Sequence, residues 1–213
     1  MGKRARAVSE KSIGRLSLYR RLLNVLQAEG VRHIFSHQLA AMARCSAAQV
    51  RRDLMAVGYS GSPARGYEVP RLIESIREFL DSPGGQNVAL VGIGNLGRAI
   101  LAYFKGRRPN LRIVAAFDND AYKANSVIEG CHCYPTDLLA RVVEDHRISL
   151  AIITVPAGAA QGVADALVAA GVRGLLNFAP VRLRVPPEVY VTDLDMTVSL
   201  ETVAYFARPD APR

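Results

Sequence analysis

The chain has 213 residues, half of them apolar, and a formal charge of +8. That length suits one large or two small domains with a buried core, and no apolar run approaches the roughly 20 residues of a membrane helix. Its three cysteines, Cys45, Cys131 and Cys133, form an odd set that does not suggest a disulfide framework.

The charge is unevenly placed. Residues 1–80 carry 14 Lys and Arg against 6 Asp and Glu, whereas residues 81–213 carry 13 of each. A basic module joined to a neutral one points the first toward a polyanion. The start, Met1 to Arg6, is basic, and no apolar signal core follows it, so a soluble cytoplasmic protein is expected.

Leu16, Leu18, Leu22, Leu23, Val25 and Leu26 recur at helical spacing, and Gly30 stands where that helix should stop. Ser36 is placed to cap a second helix ending near Ala43. In "RCSAAQVRRDLMAVG", Ser46 and Gln49 have the spacing of a capping box. The helix behind them turns Val50, Leu54 and Val57 inward and Gln49, Arg51 and Arg52 toward solvent or a partner. Two short helices with a tight turn, the second bearing Gln and Arg, are what helix-turn-helix proteins place in the major groove. Gly58, Gly61, Pro63 and Gly66 then mark turns, and Tyr67 and Val69 a returning strand. The expectation is a winged helix with Arg65 at the wing tip, near a phosphate or the minor groove. Pro70 suits the first turn of a helix reaching Leu80, and "DSPGGQ" (81–86) reads as a linker.

"VALVGIGNLGRAIL" (88–101) is an apolar strand, a G-x-G-x-x-G turn at Gly92, Gly94 and Gly97, and a helix. The first glycine permits the turn, the second lets backbone approach a pyrophosphate, and the third lets helix and strand pack closely. A second strand, 111–117, ends at Asp118, where a ribose 2′-hydroxyl ligand is expected. An acid there, followed by Asn119, Asp120 and Ala121 with no Arg, favours NAD(H) over NADP(H). Cys131-His132-Cys133 supplies at most three ligands and lacks the paired spacing of structural zinc sites, so a short strand with both sulfurs on one face, and no metal, is expected. A helix from Pro135 to about His146, strands 150–155 and 172–177, and a helix from Ala157 to Ala170 continue the alternation into a doubly wound parallel sheet. "TVPAG" (154–158) and "LNFAP" (176–180) lie at strand ends that could reach the nicotinamide. None of the four histidines lies beside them, so no catalytic residue is assigned. The tail, 194–207, reads as a helix apolar on more than one face, which must pack on its own domain or on a second subunit.

The fold class expected is therefore α/β: a winged helix-turn-helix domain (1–80), a linker (81–86), a Rossmann-like NAD(H)-binding domain (87–193) and a C-terminal dimerisation helix (194–207). A DNA-binding protein that also holds NAD(H) explains the basic winged helix. An NAD-dependent oxidoreductase with a basic accessory domain, or a nucleotide- or CoA-binding module without DNA contact, are the alternatives.

Four segments sharpen the choice: "AAQVRRDL" (47–54), "GNLGRA" (94–99), "VPA" (155–157) and "NFAPVRLRVP" (177–186). With them the chain, from about Ile13 to Phe206, resembles the Rex family of bacterial redox-sensing transcriptional repressors. The resemblance implies a homodimer that binds an inverted-repeat operator in double-stranded DNA when NADH is scarce. NADH would close the subunits and release the DNA, while NAD+ competes and remains compatible with DNA binding. It implies nucleotide contacts from Gly92, Gly94, Asn95, Leu96, Gly97, Tyr103, Asp118, Val155, Pro156, Asn177 and Phe178. DNA contacts are expected from Ser46, Ala47, Gln49, Arg51, Arg52 and Arg65. Arg15, Tyr103 and Asp195 match positions that couple nucleotide state to domain orientation in the family, whose tail helix is exchanged between subunits. The chain departs from the family's usual pattern at Ile93, at Arg44-Cys45, in the wing and in the Cys131–Cys133 segment.

Overall fold

The computed structural model describes residues 8–210, so the basic stretch 1–6 lies outside the described residues. The chain divides into two compact units, residues 1–83 and 84–213.

The first unit runs α1 (Glu10–Ala28), β1 (His33–Ile34), α2 (Ser36–Ala43), α3 (Ala47–Ala56), β2 (Tyr67–Glu68) and α4 (Val69–Leu80). Leu16, Tyr19 and Leu23 of α1 are fully buried among Leu39, Val50, Leu54, Leu72 and Ile76. The spacing of three and four places them on one stripe. Val25, expected inward, is half exposed, because the stripe runs through Tyr19 rather than through every apolar position. α2 is capped differently from the sequence expectation. Phe35 is its N-cap and the Gln38 side chain accepts from the Phe35 N–H at 2.8 Å, leaving Ser36 inside the helix. At α3 Ser46 caps as expected, its hydroxyl accepting from the Gln49 N–H at 3.1 Å. The Gln49 side chain does not return to Ser46, since it is held by Asp53 and Arg52. β1 pairs antiparallel with β2, and Ser62 and Gly66 exchange two backbone hydrogen bonds that close a tight turn with Arg65 exposed in it.

Asp53 is the one charge that α3 carries into this core, at 3 % exposure. Arg15 donates to it twice, Nε to Oδ2 at 2.7 Å and Nη2 to Oδ1 at 2.9 Å. Tyr19 donates its hydroxyl at 3.0 Å and Gln49 its amide at 2.9 Å. Burial alone would raise this carboxyl. The donors from Arg15, Gln49 and Tyr19 outweigh it and hold the group below the usual carboxylate range. α1 is thereby tied to α3 by a fully satisfied ion pair as well as by packing.

The second unit is a seven-stranded sheet in the order β5-β6-β4-β3-β7-β8-β9. Its strands are β3 (Gln86–Val91), β4 (Leu111–Asp118), β5 (Ser126–Ile128), β6 (Cys131–Pro135), β7 (Ile148–Ile153), β8 (Gly174–Asn177) and β9 (Tyr190–Asp193). Its helices are α5 (Asn95–Phe104), α6 (Leu139–Asp145), α7 (Ala157–Ala169) and α8 (Met196–Phe206). The sheet is parallel except for β5, which pairs antiparallel with β6 at one edge. Neither β5 nor β9 is marked by the sequence as a strand: both are short, and each is only partly covered.

Residues of α6 and α7 share one core with one sheet face, and residues of α5 share another with the opposite face. Over β7, β8 and β9 that second face leaves an apolar groove of about 230 Å³, lined by Leu150, Ile152, Leu176, Tyr190 and Thr192. None of the α8 residues is buried. Met196, Val198, Leu200, Val203 and Phe206 are all more than half exposed, so the helix does not pack on its own unit.

The Asp53 carboxyl lies below its unfolded value, so its contribution is present above about pH 4 and is lost as pH falls through the folded value. Asp53→Asn should cost about 2–3 kcal/mol at pH 7 and much less at pH 3. Chemical denaturation at both pH values checks this; an equal cost at both would contradict it.

Candidate functional site

β3 and β7 are neighbours whose following segments run to opposite sides, which opens a crevice at their carboxyl ends. At Gly92 the backbone turns with φ +98°, and a Cβ there would meet the Thr154 carbonyl at 2.8 Å. On Gly97 a Cβ would overlap the Gly92 carbonyl oxygen, so α5 rests directly on the strand end. Gly94, by contrast, has open space where a Cβ would stand. Bare backbone at that point lets an anionic group approach the start of α5. Thr154 fixes the facing strand: its hydroxyl donates to Gly92 O at 2.7 Å and its N–H to Val91 O at 2.9 Å.

Asp118 closes the adjoining end of β4. Its Oδ2 accepts from the Ile93 N–H at 2.6 Å and its Oδ1 from the Asp120 N–H at 2.9 Å, and Lys123 Nζ lies 3.3 Å from Oδ2. Burial opposes its charge, but the two N–H donors and Lys123 hold it below the usual carboxylate range. A carboxylate accepts about four hydrogen bonds, so capacity remains for a ribose hydroxyl. Lys123 is a cation that a search for Arg beside Asp118 overlooks. It also pairs with Asp120 at 3.5 Å, leaving two carboxylates against one ammonium, a balance that still disfavours a 2′-phosphate.

The resulting cleft is about 670 Å³ and is lined by Gly92, Gly94, Leu96, Asp118, Asn119, Lys123 and Thr136, and by Thr154, Val155, Pro156, Ala159, Val163 and Phe178. Four residues expected there do not line it, the first being Gly97, which is buried against the Gly92 carbonyl beneath the start of α5. Asn95 is exposed in the first turn of α5. Asn177 is wholly buried, donating to Val181 O and to Asp193 Oδ1 at 2.8 Å each and accepting from Ala179 N–H at 3.0 Å; it shapes the segment that presents Phe178. Tyr103 is exposed near the far end of α5, with the Arg107 guanidinium 4.5 Å from its ring centre. The chemistry of the lining, bare glycine backbone, one acid and an apolar wall, fits a dinucleotide.

In the first unit α3 gathers the basic candidates. Ser46 caps it, Ala47 opens it, and Arg51 and Arg52 are exposed. Arg51 Nη1 donates to Ser36 Oγ at 3.2 Å, and Arg52 Nη2 to Gln49 Oε1 at 2.7 Å. Arg65 stands apart in the Ser62–Gly66 turn. Of the three positions expected to couple nucleotide state to domain orientation, Arg15 is engaged by Asp53 within its own unit, Tyr103 stacks with Arg107, and Asp195 caps α8 by accepting from Thr197 N–H at 2.8 Å. Asp53, Tyr19 and Lys123 are the site-building residues that motif reading missed, and Thr154, inside the TVPAG segment, carries no role of its own in that reading. Asp53 left a signal: an acid four residues after Gln49 on the apolar side of α3 needs a buried donor.

Cys131 and Cys133 point inward on β6 as expected, both buried. Alternate residues of a strand lie about 6.6 Å apart, whereas disulfide Cβ atoms lie about 4 Å apart, so the two do not bridge. Burial pushes the Cys131 thiol up to about 11.

Two known domain families match the chain: one described as a putative DNA-binding protein N-terminus over residues 7–54, the other as a CoA binding domain over 85–181. A redox-sensing transcriptional repressor Rex from Brevibacillus brevis is 41 % identical over 93 % of this chain and 96 % of its own. Another from Carboxydothermus hydrogenoformans is 40 % identical over 95 % and 98 %. The chain belongs to the Rex family. Among solved structures, the Rex-family repressor RSP in complex with β-NAD+ and operator DNA matches with a TM-score of 0.87 and 30 % identity, covering 94 % of this chain and 93 % of that one. The same repressor with β-NADH matches at a TM-score of 0.84 and 29 % identity over 94 % of each chain.

Gly97→Ala should destabilise the Rex-type sheet by about 1–3 kcal/mol in the absence of any nucleotide, because backbone must shift to admit the methyl group. Thermal denaturation checks it, and an unchanged midpoint would show that α5 does not rest on Gly92. Iodoacetamide on the native protein should label Cys45, which is half-buried, well before Cys131 and Cys133. Peptide mass mapping would expose the reverse order.

Proposed function

We propose that this Rex-family chain is a transcriptional repressor that reads the balance of NADH and NAD+. It binds an inverted-repeat operator as a homodimer and releases it when NADH binds. The observation that carries this reading is one chain holding both a glycine-loop cleft with an acid at the ribose position and a basic winged helix. Its relatives are repressors of that kind, and RSP has been crystallised with β-NADH and with β-NAD+ and operator DNA. We place the nucleotide on Gly92, Gly94, Leu96, Asp118, Val155, Pro156 and Phe178, and the DNA on Ser46, Ala47, Arg51, Arg52 and Arg65.

NADH and NAD+ differ by a hydride and by one positive charge on the nicotinamide. A ligand shifts an equilibrium only through its different affinity for two states. Val155, Pro156, Val163 and Phe178 form an apolar wall, which favours the neutral reduced ring over the cationic one. The titratable side chains of the cleft, Asp118 and Lys123, are engaged with each other. We therefore assign the cleft to sensing rather than hydride transfer, and the protein to the cytoplasm, where that ratio is set.

The dimer follows from two unpaired surfaces on one chain. α8 exposes its apolar residues, and the sheet leaves a groove over β7, β8 and β9. Exchange of α8 between two copies covers both, and two-fold symmetry matches two operator half-sites. Asp195 at the root of α8 and Tyr103 on α5 then lie where one copy meets the other, and Arg15 reports from the DNA-binding unit.

The test is operator binding by the purified protein, titrated with NADH and with NAD+. NADH should release the duplex and NAD+ should not. Asp118→Ala should raise the NADH needed by roughly 10- to 150-fold, the loss expected for one hydrogen bond to a charged group, with nucleotide-free DNA affinity retained. Arg51→Ala should weaken DNA binding and spare NADH binding. DNA affinity indifferent to NADH, or turnover of NADH with a carbonyl substrate, would overturn the reading.

A further inference from the structure

Gln49 has the residue type and the position of a base-reading side chain, yet both ends of its amide are in use. Its Nε2 donates to Asp53 Oδ1 at 2.9 Å and its Oε1 accepts from Arg52 Nη2 at 2.7 Å. An ionised carboxylate only accepts and a guanidinium only donates, so these neighbours leave one orientation for the amide. The residues at i+3 and i+4 reach it from the same side of α3. Asp53 is itself buried at 3 % exposure and bonded to Arg15 and Tyr19 from α1. The contacts therefore form a line from a buried, saturated carboxylate, through an amide, to an exposed guanidinium.

We infer that Gln49 is a positioning residue that holds Arg52 as the guanine-reading group of α3, and that it does not read a base itself. To pair with adenine a Gln must offer its carbonyl and its amide N–H₂ together. Here one amide N–H is committed to Asp53 and one carbonyl lone pair to Arg52, so turning the amide out to a base edge competes with both bonds. Arg52 keeps most of its donor fork, having five N–H groups of which Gln49 takes one. A guanidinium fits the O6 and N7 acceptors of guanine in two-point contact, and fixing it in advance lowers the entropy lost on binding. Arg51 is held instead by Ser36 on α2, so the two arginines are set by different supports. The inference rests on the DNA-binding reading above.

The probe is the duplex that the wild-type protein enriches from a randomised pool. Guanines in it are then replaced singly by 7-deazaguanine, which lacks the N7 acceptor. One replacement should weaken wild-type binding by about 5-fold or more. Arg52→Ala should be indifferent to that replacement. Gln49→Met, and Gln49→Ala as a second variant, should lose most of the response at that same guanine. Adding Gln49→Met to Arg52→Ala should cost nothing more there. Gln49 variants that keep the full guanine response, or that instead lose preference at an adenine, would overturn the relay while leaving DNA binding intact. If no sequence were enriched at all, the DNA-binding reading would fall and the relay with it. Unchanged melting midpoints separate loss of reading from loss of fold.

Discussion

Where α5 leaves the sheet, Gly97 lies so close to the Gly92 carbonyl that no side-chain atom fits between them. From that approach the rest of the second unit's site follows. α5 is seated directly on the strand end, which sets the path of residues 92–94. The same carbonyl accepts from the Thr154 hydroxyl, so the turn after β3 and the turn after β7 are locked to one atom. Ile93, between the glycines, is fully buried, and its N–H is directed at Asp118. Three strand ends thus meet around one short loop, fixed by the Gly92–Gly97 backbone approach and by the Thr154 and Asp118 side chains.

Two buried carboxylates play parallel parts in the two units. Asp53 ties α1 to α3, and Asp118 ties the end of β4 to the glycine loop. Each is desolvated, and each stays charged because protein donors engage it rather than because water reaches it. In each case an element bearing the exposed chemistry is fixed by an acid that is itself hidden. Sites built this way need little reorganisation when a ligand arrives, which is the condition for small differences between ligands to be felt.

Much of this arrangement is readable in the residues. Alternation of apolar runs with helical spacing is enough to lay out β3, α5, β4, β7 and α7, because buried parallel strands carry continuous apolar runs such as 88–91 and 150–153. The glycine spacing and the acid at 118 locate the cleft. Other features are invisible at that level. β9 reads "YVTD" and takes its strand character from pairing with β8, a contact distant in sequence from any local signal. Asn177, placed at a strand end beside Phe178, has the profile of a ligand contact, and only the three-dimensional path of 178–181 turns it into an internal brace. Tyr103 sits two turns beyond the glycines, yet the helix carries it away from the cleft they form. Caps fail for a simpler reason: Ser36 and Phe35 compete for one role, and Gln38 settles it from outside the pair.

The bare helix α8 and the vacant half of the sheet face have a consequence of a different kind. On the reading that a second copy fills the groove, part of this chain's stabilisation is bimolecular, so it grows with the logarithm of protein concentration. The number of copies in the cell then enters the signal alongside the nucleotide ratio. A chain made in scarce amounts would have fewer paired winged helices to place on an inverted repeat, whatever the redox state. Repression by such a molecule has a threshold in its own abundance, set by how tightly Met196, Leu200, Val203 and Phe206 are covered.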